Sequence, residues 1–424
     1  MSTQVQSRIR LQRPPWTLLV LVVLFRLGTL LLLRPGGFVY DFSDYGWYRQ
    51  MAQYSNEGFY PFIHYWMEYP PPFPWLNVLV YRLSLWLPPA LDARLWHHWL
   101  LGLALLPFDI GILALLHTLA RALHGRGFAL WVASVYALLF IPLYTWAGWF
   151  DSMAVFMLLL AVWLILAERP AWAGFALGVG FLVKVSPILP IVVAVQRFRQ
   201  PEQGWRGWVS RANVRLVLAL AASLAALSLP WLWLNADMFL ATFRSLTGRS
   251  SWETIWALLS GYFGYGVVSP ERFIPAPPQA IHPERVPGVL ILFITALFGF
   301  WLWTRPLDWK QPRVQIGFHA LTLSMFLLAS PGWSPQFLTW VLPWVLLVMP
   351  LAPSPHQRLT PAWHAVGLAL LLSVVNTLEW LYFPLWSAYP LVLALIVIIR
   401  TAGLAWLAWH AWRLCRETTR SSVA

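Results

Sequence analysis

The amino-acid sequence predicts an all-α, polytopic membrane protein. Of its 424 residues, 59% are hydrophobic and only 11% are charged, with a mean hydropathy of +0.62, whereas a soluble domain carries about 25% charged residues. The apolar residues come in repeated runs of roughly 17 to 25, the length that a helix needs to cross a bilayer. Basic residues gather between these runs, as the positive-inside rule expects. The net charge of +13 therefore does not indicate nucleic-acid binding.

The apolar runs predict about 11–13 transmembrane or re-entrant helices in a single integral-membrane domain, residues 1–424. They lie at 16–34, 73–88, 95–120, 128–148, 152–167, 171–196, 214–234, 286–304, 314–330, 335–350, 362–383 and 385–411. The first run is expected to stay as a membrane anchor, because residues 34–37 contain no small-residue cleavage pattern. A chain with a single cysteine, Cys415, can form no internal disulfide.

One of these runs, 171–196, predicts a broken helix. Lys184, Pro187 and Pro190 lie in its middle, and arginines flank it on both sides. This run is therefore expected to return to its own side of the membrane as a pair of short helices. Such irregular backbone is tolerated where it lines a cavity.

The distribution of arginine predicts which segments face each side of the membrane. We expect the cytoplasmic side to hold the N-terminus and the stretches at 121–126, 197–215, 305–313 and 413–420. We expect the extracytoplasmic side to hold the segments at 35–72, 148–151, 235–285 and 331–335. This topology, which we place in the plasma membrane, requires 73–120 to make one net crossing. The predicted units are a module at 16–234 that includes the outer loop at 35–72, a second outer loop at 235–285, and C-terminal helices at 286–411.

The first outer loop is the most informative part of the chain. It gathers four of the sixteen carboxylates, namely Asp41, Asp44, Glu57 and Glu68. The spacing of Asp44, Tyr48 and Ala52 predicts a short amphipathic helix on the membrane surface. Ser43 is a plausible cap for this helix, and Asp44 would lie in its first turn, where the helix dipole favours a carboxylate. Asp44 is therefore either a catalytic candidate or only a helix-start residue.

Two further carboxylates stand where helices begin. Glu68 and Tyr69 precede three prolines, which suit the first turn of a helix. Asp151 begins an apolar run at the proposed outer face. Each carboxylate either serves a substrate or is an ordinary residue at the start of a helix.

Charged residues inside apolar runs need a partner or a cavity, because each costs roughly 2.5–3.5 kcal/mol at the bilayer centre. Arg26 and Asp109 are expected to form a buried ion pair. Glu379 falls under the same argument. Lys184 has no carboxylate in its own segment, which favours an external anion such as a phosphate as its partner.

Most of the thirty tryptophans are expected to anchor helix ends at the membrane interface. Four in the outer loops could offer flat faces to sugar rings: Trp47, Trp66, Trp252 and Trp333. The sequence contains no glycine-rich phosphate loop, no metalloprotease HExxH, no nucleophile elbow and no Cys/His metal cluster. These absences disfavour ATP-driven transport and metalloprotease chemistry.

Several short motifs stand along the chain in an order that a known superfamily shares. They are Asp44-x-x-x-Tyr48, Gly58-Phe59-Tyr60-Pro61, Glu68-Tyr69-Pro70-Pro71, Phe150-Asp151, Ala173-Gly174, Lys184-Val185-Ser186-Pro187, Ser330 to Phe337 and Trp340 to Pro343. Their order and spacing resemble the GT-C superfamily of integral-membrane glycosyltransferases. Within it, the chain looks most like polyprenyl-phosphate-mannose-dependent mannosyltransferases, over roughly residues 16–345.

This resemblance implies a GT-C-like fold and a polyprenyl-phosphate sugar donor that is used on the extracytoplasmic face. The expected reaction is an inverting transfer of a hexose, with mannose as the expected sugar, to a glycolipid, polymer or protein acceptor. The catalytic base of the family maps onto Asp44, with Asp41 as the second member of an acidic pair. The two aspartates are three apart rather than two, so no metal or other cofactor is predicted to be essential.

The chemistry of the residues fits this reaction. One carboxylate can deprotonate the acceptor hydroxyl, and cations can stabilise the departing phosphate. For that second role Lys184 is the first candidate, followed by Arg244 and Arg249. Glu68 and Asp151 would hold sugar hydroxyls or orient the cations. The remaining substrate-binding candidates are Tyr69, Trp252, Glu253 and Gln336.

Two other classes of function stay open at this stage. A transporter or lipid flippase without glycosyl transfer would favour internal repeats around a site at the membrane midplane, and no such repeat is visible. An accessory subunit that has lost its activity is the milder alternative. The presence of Asp44 argues weakly against it.

Overall fold

The structure is a computed structural model that describes residues 15–32, 43–266, 268–275, 282–351, 362–382, 385 and 388–423. Every regular element in these residues is helical, which confirms the predicted all-α fold. The α-helices are α1 Trp16–Leu32, α2 Tyr45–Gln53, α3 Pro72–Ser84, α4 Leu95–His124, α5 Arg126–Leu138, α6 Phe140–Gly148, α7 Asp151–Leu166, α8 Pro170–Val183, α9 Ile191–Arg197, α10 Arg211–Thr247, α11 Ile255–Leu259, α12 Gly288–Trp303, α13 Pro312–Ala329, α14 Leu338–Val348, α15 Ala362–Tyr382 and α16 Pro390–Val423. Short 3₁₀ helices lie at Tyr54–Glu57, Ser186–Ile188, Pro201–Val209 and Pro335–Phe337.

The helices fit a protein that crosses a membrane several times. Among the described residues, four segments are long and apolar enough to cross on their own: Leu95–His124, Pro201–Thr247, Ala362–Leu381 and Pro390–Ser421. Helices α5 and α6 bend by 54° against each other and could form a fifth span. Six shorter apolar helices of 10–17 residues accompany them. This mixture agrees with the predicted set of transmembrane and re-entrant segments.

The predicted break in the run 171–196 is confirmed. Helix α8 ends at Val183, and Lys184 adopts an extended conformation (φ −153°, ψ 158°) before a 3₁₀ turn leads into α9. Gly180 makes the tight return feasible, because a Cβ at this position would lie 2.6 Å from the Cβ of Pro187. The side chain of Lys184 is therefore carried at a helix end rather than within a continuous helix.

The second outer loop begins as helix. Helix α10 runs through residue 235 to Thr247, with Pro230 inside it and a non-helical Asn235 (φ −159°, ψ 88°). The amide of Asn235 accepts from the backbone N–H of Met238 and donates to the carbonyl of Ile63. The outer part of α10 is thereby attached to the first outer loop.

Two of the buried charges form the pair that the sequence predicts. Arg26 and Asp109 lie 2.9 Å apart and are buried, which confirms their ion pair between α1 and α4. Glu379 has a partner as well, because Arg400 of α16 donates to its carboxylate.

Candidate functional site

The first outer loop presents Asp44 at the start of α2. Asp44 itself occupies the N-cap position and makes no side-chain capping bond. The prediction that Ser43 caps this helix with Asp44 in its first turn is therefore wrong by one residue. Because the carboxylate of Asp44 is not used to cap the helix, it can make other contacts. Its Oδ2 accepts from the hydroxyls of Tyr48 (3.2 Å) and Tyr69 (3.4 Å).

Neighbouring helices hold α2 in place. The hydroxyl of Tyr45 donates to the carbonyl of Trp146 in α6 (2.9 Å), and the backbone N–H of Asp44 donates to the carbonyl of Gly148 (3.1 Å). The side-chain amide of Asn77 in α3 donates to the carbonyl of Tyr48 (2.7 Å). The position of Asp44 is thus fixed by buried contacts rather than by a free loop.

An aromatic cluster surrounds the carboxylate of Asp44. The rings of Phe73 and Phe150 stack with centroids 3.8 Å apart, and Tyr69 packs edge-on against Phe150 at 4.6 Å. Tyr48 contacts Phe73 at 4.7 Å. These rings displace water from a half-buried carboxylate, and burial raises the pKa of Asp44 to about 7. The negative charge of Glu68 contributes to this raised pKa, while the positive charge of Lys184 opposes it.

Glu68 is buried beside this cluster and is held by two donors. Its Oε1 accepts from the indole N–H of Trp47 (3.0 Å), and its Oε2 lies 2.7 Å from Nη1 of Arg272. Sequence analysis did not single out Arg272. It lies 204 positions from Glu68, and no local pattern distinguishes it from the other arginines of the second outer loop.

Lys184 and Asp151 meet on the other side of the aromatic cluster. Nζ of Lys184 donates to Oδ1 of Asp151 (2.7 Å), and the same oxygen accepts from the indole N–H of Trp340 (2.7 Å). The carboxylate that Lys184 lacks in its own segment therefore comes from α7. Four rings face the ammonium group at 4.9–5.6 Å, those of Tyr69, Phe150, Phe337 and Trp340.

The predicted residues near Asp44 form one electrostatic group. The charges of Glu68, Lys184 and Asp151 all act on the carboxylate of Asp44. The structure thus brings together a half-buried base, two further carboxylates and a buried ammonium group, around a cluster of aromatic rings.

Arg249 extends this group from the second outer loop. Burial lowers the pKa of its guanidinium, which also interacts with Glu68, Tyr69 and Arg272. The guanidinium lies over the ring of Trp252 at 4.7 Å, and its Nε donates to the carbonyl of Ser245 (3.1 Å). A small pocket opens beside it, lined by Arg249, Ser250, Ser251, Trp252, Tyr262, Tyr265, Gly266 and His282.

The other predicted site residues lie elsewhere or contribute less directly. Arg244 is exposed and faces Asp237 at 3.5 Å. Gln336 is buried next to Phe337, whose ring faces Lys184. Asp41 lies outside the described residues.

Glu253 belongs to a separate buried group. Its carbonyl accepts from Arg400, and its carboxyl lies beside Glu379. Burial and the charge of Glu379 hold the pKa of Glu253 well above its usual range. The backbone of Glu253 is left-handed, with φ +52°. This group joins the second outer loop to α15 and α16.

Two of the tryptophans proposed as sugar platforms cannot have that role. Trp66 and Trp333 are 0% and 2% exposed, so neither offers a face to a substrate. Their rings instead contact the guanidinium groups of Arg272 (4.4 Å) and Arg400 (4.3 Å). Trp47 and Trp252 remain partly exposed.

The described part of the chain contains no group of three or more His, Cys, Asp or Glu side chains that could hold a metal ion. The arrangement around Asp44 instead provides a proton acceptor, hydroxyls and nearby cations. These are the parts that a group transfer from a phosphate ester would use.

Comparison with known proteins identifies a family. The profile of glycosyltransferase family 87 matches residues 66–331, which include Glu68, Asp151, Lys184 and Arg249 but not Asp44. No curated protein matches the chain significantly.

Among solved structures, the chain is similar to ArnT from Cupriavidus metallidurans bound to undecaprenyl phosphate. The identity is 17% and the TM-score 0.49, over 95% of this chain and 78% of that one. It is also similar to the Archaeoglobus fulgidus oligosaccharyltransferase tethered with an acceptor peptide. There the identity is 14% and the TM-score 0.43, over 94% of this chain and 55% of that one.

Proposed function

Because the chain belongs to glycosyltransferase family 87, we propose that it transfers a hexose from a polyprenyl-phosphate-linked donor to a hydroxyl acceptor, with inversion at the anomeric carbon. Mannose is the sugar that we propose, and a glycolipid, a polymer or a protein is the acceptor. In this proposal the N-terminus is cytoplasmic, and the site faces the extracytoplasmic side of the plasma membrane. The protein itself is a multi-pass membrane glycosyltransferase.

The single observation that carries the proposal is the environment of Asp44. Its carboxylate is not used to cap α2, is half-buried, and accepts hydrogen bonds from Tyr48 and Tyr69. A general base works best when its pKa lies near the working pH, and the pKa of Asp44 is raised to about 7. Asp44 can therefore take up a proton under physiological conditions and release it again.

The proposed step is a single displacement at the anomeric carbon of the donor sugar. The acceptor oxygen forms a bond to the anomeric carbon as the bond from that carbon to the phosphate oxygen breaks on the opposite face. The hydroxyl proton moves to Asp44, and the electron pair of the broken bond leaves with the polyprenyl phosphate. Asp44 then returns the proton to water, so no external acid or cofactor is needed.

Cations near Asp44 would stabilise the departing phosphate. Lys184 uses one of its three N–H groups on Asp151, and rings surround the rest of the ammonium group. In such a water-poor environment a positive charge stabilises an anion far more than it does in water. We propose Lys184 as the first phosphate ligand and Arg249 as the second. Asp151 would orient Lys184.

The remaining predicted residues complete the proposal. Glu68 and Tyr69 would position the sugar and the base, and Trp252 and Gln336 would line the substrate path. Arg244, Glu253 and Asp41 stay candidates with no assigned contact to the reaction, and no metal is proposed to be essential.

The test supplies membranes with labelled polyprenyl-phosphate mannose and compares the wild type with Asp44→Asn and Asp44→Ala. Loss of a positioned base is expected to slow the transfer by about 10²–10⁴-fold. Asp92→Asn is the matched control, because Asp92 is a partly exposed carboxylate that pairs with Arg94. Undiminished transfer in both Asp44 variants would remove Asp44 from the mechanism, and movement of the lipid without any transfer would favour a flippase.

The sugar and the acceptor need separate experiments. Competition between polyprenyl-phosphate mannose and polyprenyl-phosphate glucose, at equal concentrations, tests the proposed sugar. Mass analysis of glycolipids from a deletion strain would identify the acceptor as the species that loses one hexose.

A further inference from the structure

A short segment of the second outer loop is attached to the first outer loop. The backbone N–H of Trp66 donates to the carbonyl of Arg272 (3.0 Å), and the indole N–H of Trp66 donates to the carbonyl of Glu271 (2.9 Å). The ring of the next residue, Phe273, packs against Tyr54 and Phe59. These contacts place Arg272 beside Glu68, one of the charged residues grouped around Asp44.

The side chain of Arg272 is buried, at 2% exposure, although it lies in a loop. Its guanidinium lies between two rings, 4.7 Å from the centroid of Trp47 and 4.4 Å from that of Trp66. Its Nη1 is 2.7 Å from Oε2 of Glu68. Burying a guanidinium requires a charged partner and well-packed neighbours, and Arg272 has both.

The contacts of Arg272 lead directly to Asp44. Trp47, which lies under the guanidinium, belongs to α2, and its indole N–H donates to the second oxygen of Glu68. Tyr69, the residue after Glu68, donates to Asp44. Arg272 therefore contacts Trp47 of α2 and the carboxylate of Glu68, the residue before Tyr69. It does not contact Asp44 itself.

We propose that Arg272 is a positioning residue that acts through Glu68 to hold α2 and Asp44 in the reactive arrangement. The inference rests on the proposed role of Asp44 as base. It gives the second outer loop a positioning role beside the proposed phosphate contact of Arg249, because the site is complete only when that loop is attached to the first.

The charge of Glu68 gives this role a measurable signature. Asp44 is faced by Tyr48 from α2, by Glu68 and Tyr69 from the segment before α3, by Asp151 from α7 and by Lys184 after α8. Glu68 in turn forms an ion pair with Arg272 and also interacts electrostatically with Arg249. The Glu68→Gln variant removes the negative charge that helps to raise the pKa of Asp44, so the pKa of Asp44 falls in this variant.

A double-mutant cycle tests the proposal in the full-length protein. Arg272→Met is expected to lower kcat for mannosyl transfer by about 10²-fold, the loss that a misplacement of about 1 Å can cause. In the background of Glu68→Gln the same change is expected to cost less than about 2-fold, because the two residues act as one unit. Glu68→Gln itself should shift the acidic limb of the kcat/KM profile to lower pH. If Arg272 had only a structural role, its loss would cost equal activity with and without Glu68.

Controls separate positioning from folding. Arg285→Met removes an exposed arginine of the same loop and should leave transfer unchanged. If Arg272→Met melts below the assay temperature in detergent, Arg272→Lys replaces it. This variant keeps a positive charge beside Glu68, so it should lose only part of the activity, and that loss should also shrink in the background of Glu68→Gln.

The outcomes distinguish this inference from the proposed function. Full activity in Asp44→Asn would refute both. If Asp44→Asn is inactive but Arg272→Met loses equal activity with and without Glu68, only the role of Arg272 is refuted.

Discussion

The raised pKa of Asp44 predicts a strong pH dependence of the reaction. The perturbation is a change of pH from 8 to 5 on the wild-type protein. The pKa of the carboxylate is about 7, against 3.8 for an exposed aspartate, because burial disfavours its charged form. Only ionised Asp44 can accept the proton of the acceptor. At pH 5, two units below that pKa, about 1% of the sites are ionised, so kcat/KM should be about 100-fold lower than at its plateau.

The assay measures initial rates of labelled mannose transfer at donor concentrations well below KM, in one mixed buffer system between pH 5 and 9. The expected profile rises with a slope of one and reaches half of its plateau near pH 7. The variant Glu68→Gln tests whether the acidic limb of the profile reports the titration of Asp44, because the charge of Glu68 contributes to the raised pKa of Asp44. In this variant the midpoint should move to lower pH. A plateau that extends down to pH 5 in the wild type would show that Asp44 is an ordinary exposed carboxylate and would refute the reasoning.

Two further predictions follow from the same cluster. Asp44→Asn should raise the melting temperature in detergent more at pH 8 than at pH 5. The raised pKa means that ionised Asp44 destabilises the folded state, and this cost grows as pH rises from 3.8 to about 7; an equal gain at both pH values would contradict it. Lys184→Met should abolish most transfer and destabilise the protein by about 3–5 kcal/mol, because it leaves the fully buried Asp151 without its cation. The matched control is Lys310→Met, which removes the only other lysine, an exposed one. If Lys184→Met transfers mannose as fast as Lys310→Met, Lys184 is excluded as a phosphate ligand.

Local sequence patterns were enough to predict several features that the structure confirms. The all-α fold follows from apolar runs, because backbone polar groups in a membrane must be satisfied within the helix. The break at Lys184 follows from two prolines and a charge in one apolar run, and the pair of Arg26 with Asp109 follows from the cost of unpaired charge in a membrane. The first two features have causes that act within one segment of the chain. In the third, the cost of a lone charge in the membrane requires Arg26 to have an acidic partner.

Other features depended on contacts that no local pattern encodes. The groups that set the pKa of Asp44, some raising it and some lowering it, come from α2, the segment before α3, α7 and the segment after α8. Its chemical state could therefore not be read from the first outer loop alone. The alternative in which Trp66 and Trp333 offer flat faces to a sugar fails because both rings are buried, and the exposure of an aromatic ring depends on what packs over it.

By itself, the sequence determined that this protein is a helical membrane protein, because hydrophobic length is a property of short segments. The resemblance of its motifs to a known superfamily made Asp44 the first candidate for a base. Only the tertiary structure decided that Lys184 is paired with Asp151, that Arg272 is paired with Glu68, and that Glu253 meets Arg400 far from its place in the chain. These pairs join residues separated by 33, 204 and 147 positions. Helix packing selects such partners by bringing distant segments together, and periodicity along the chain carries no information about that choice.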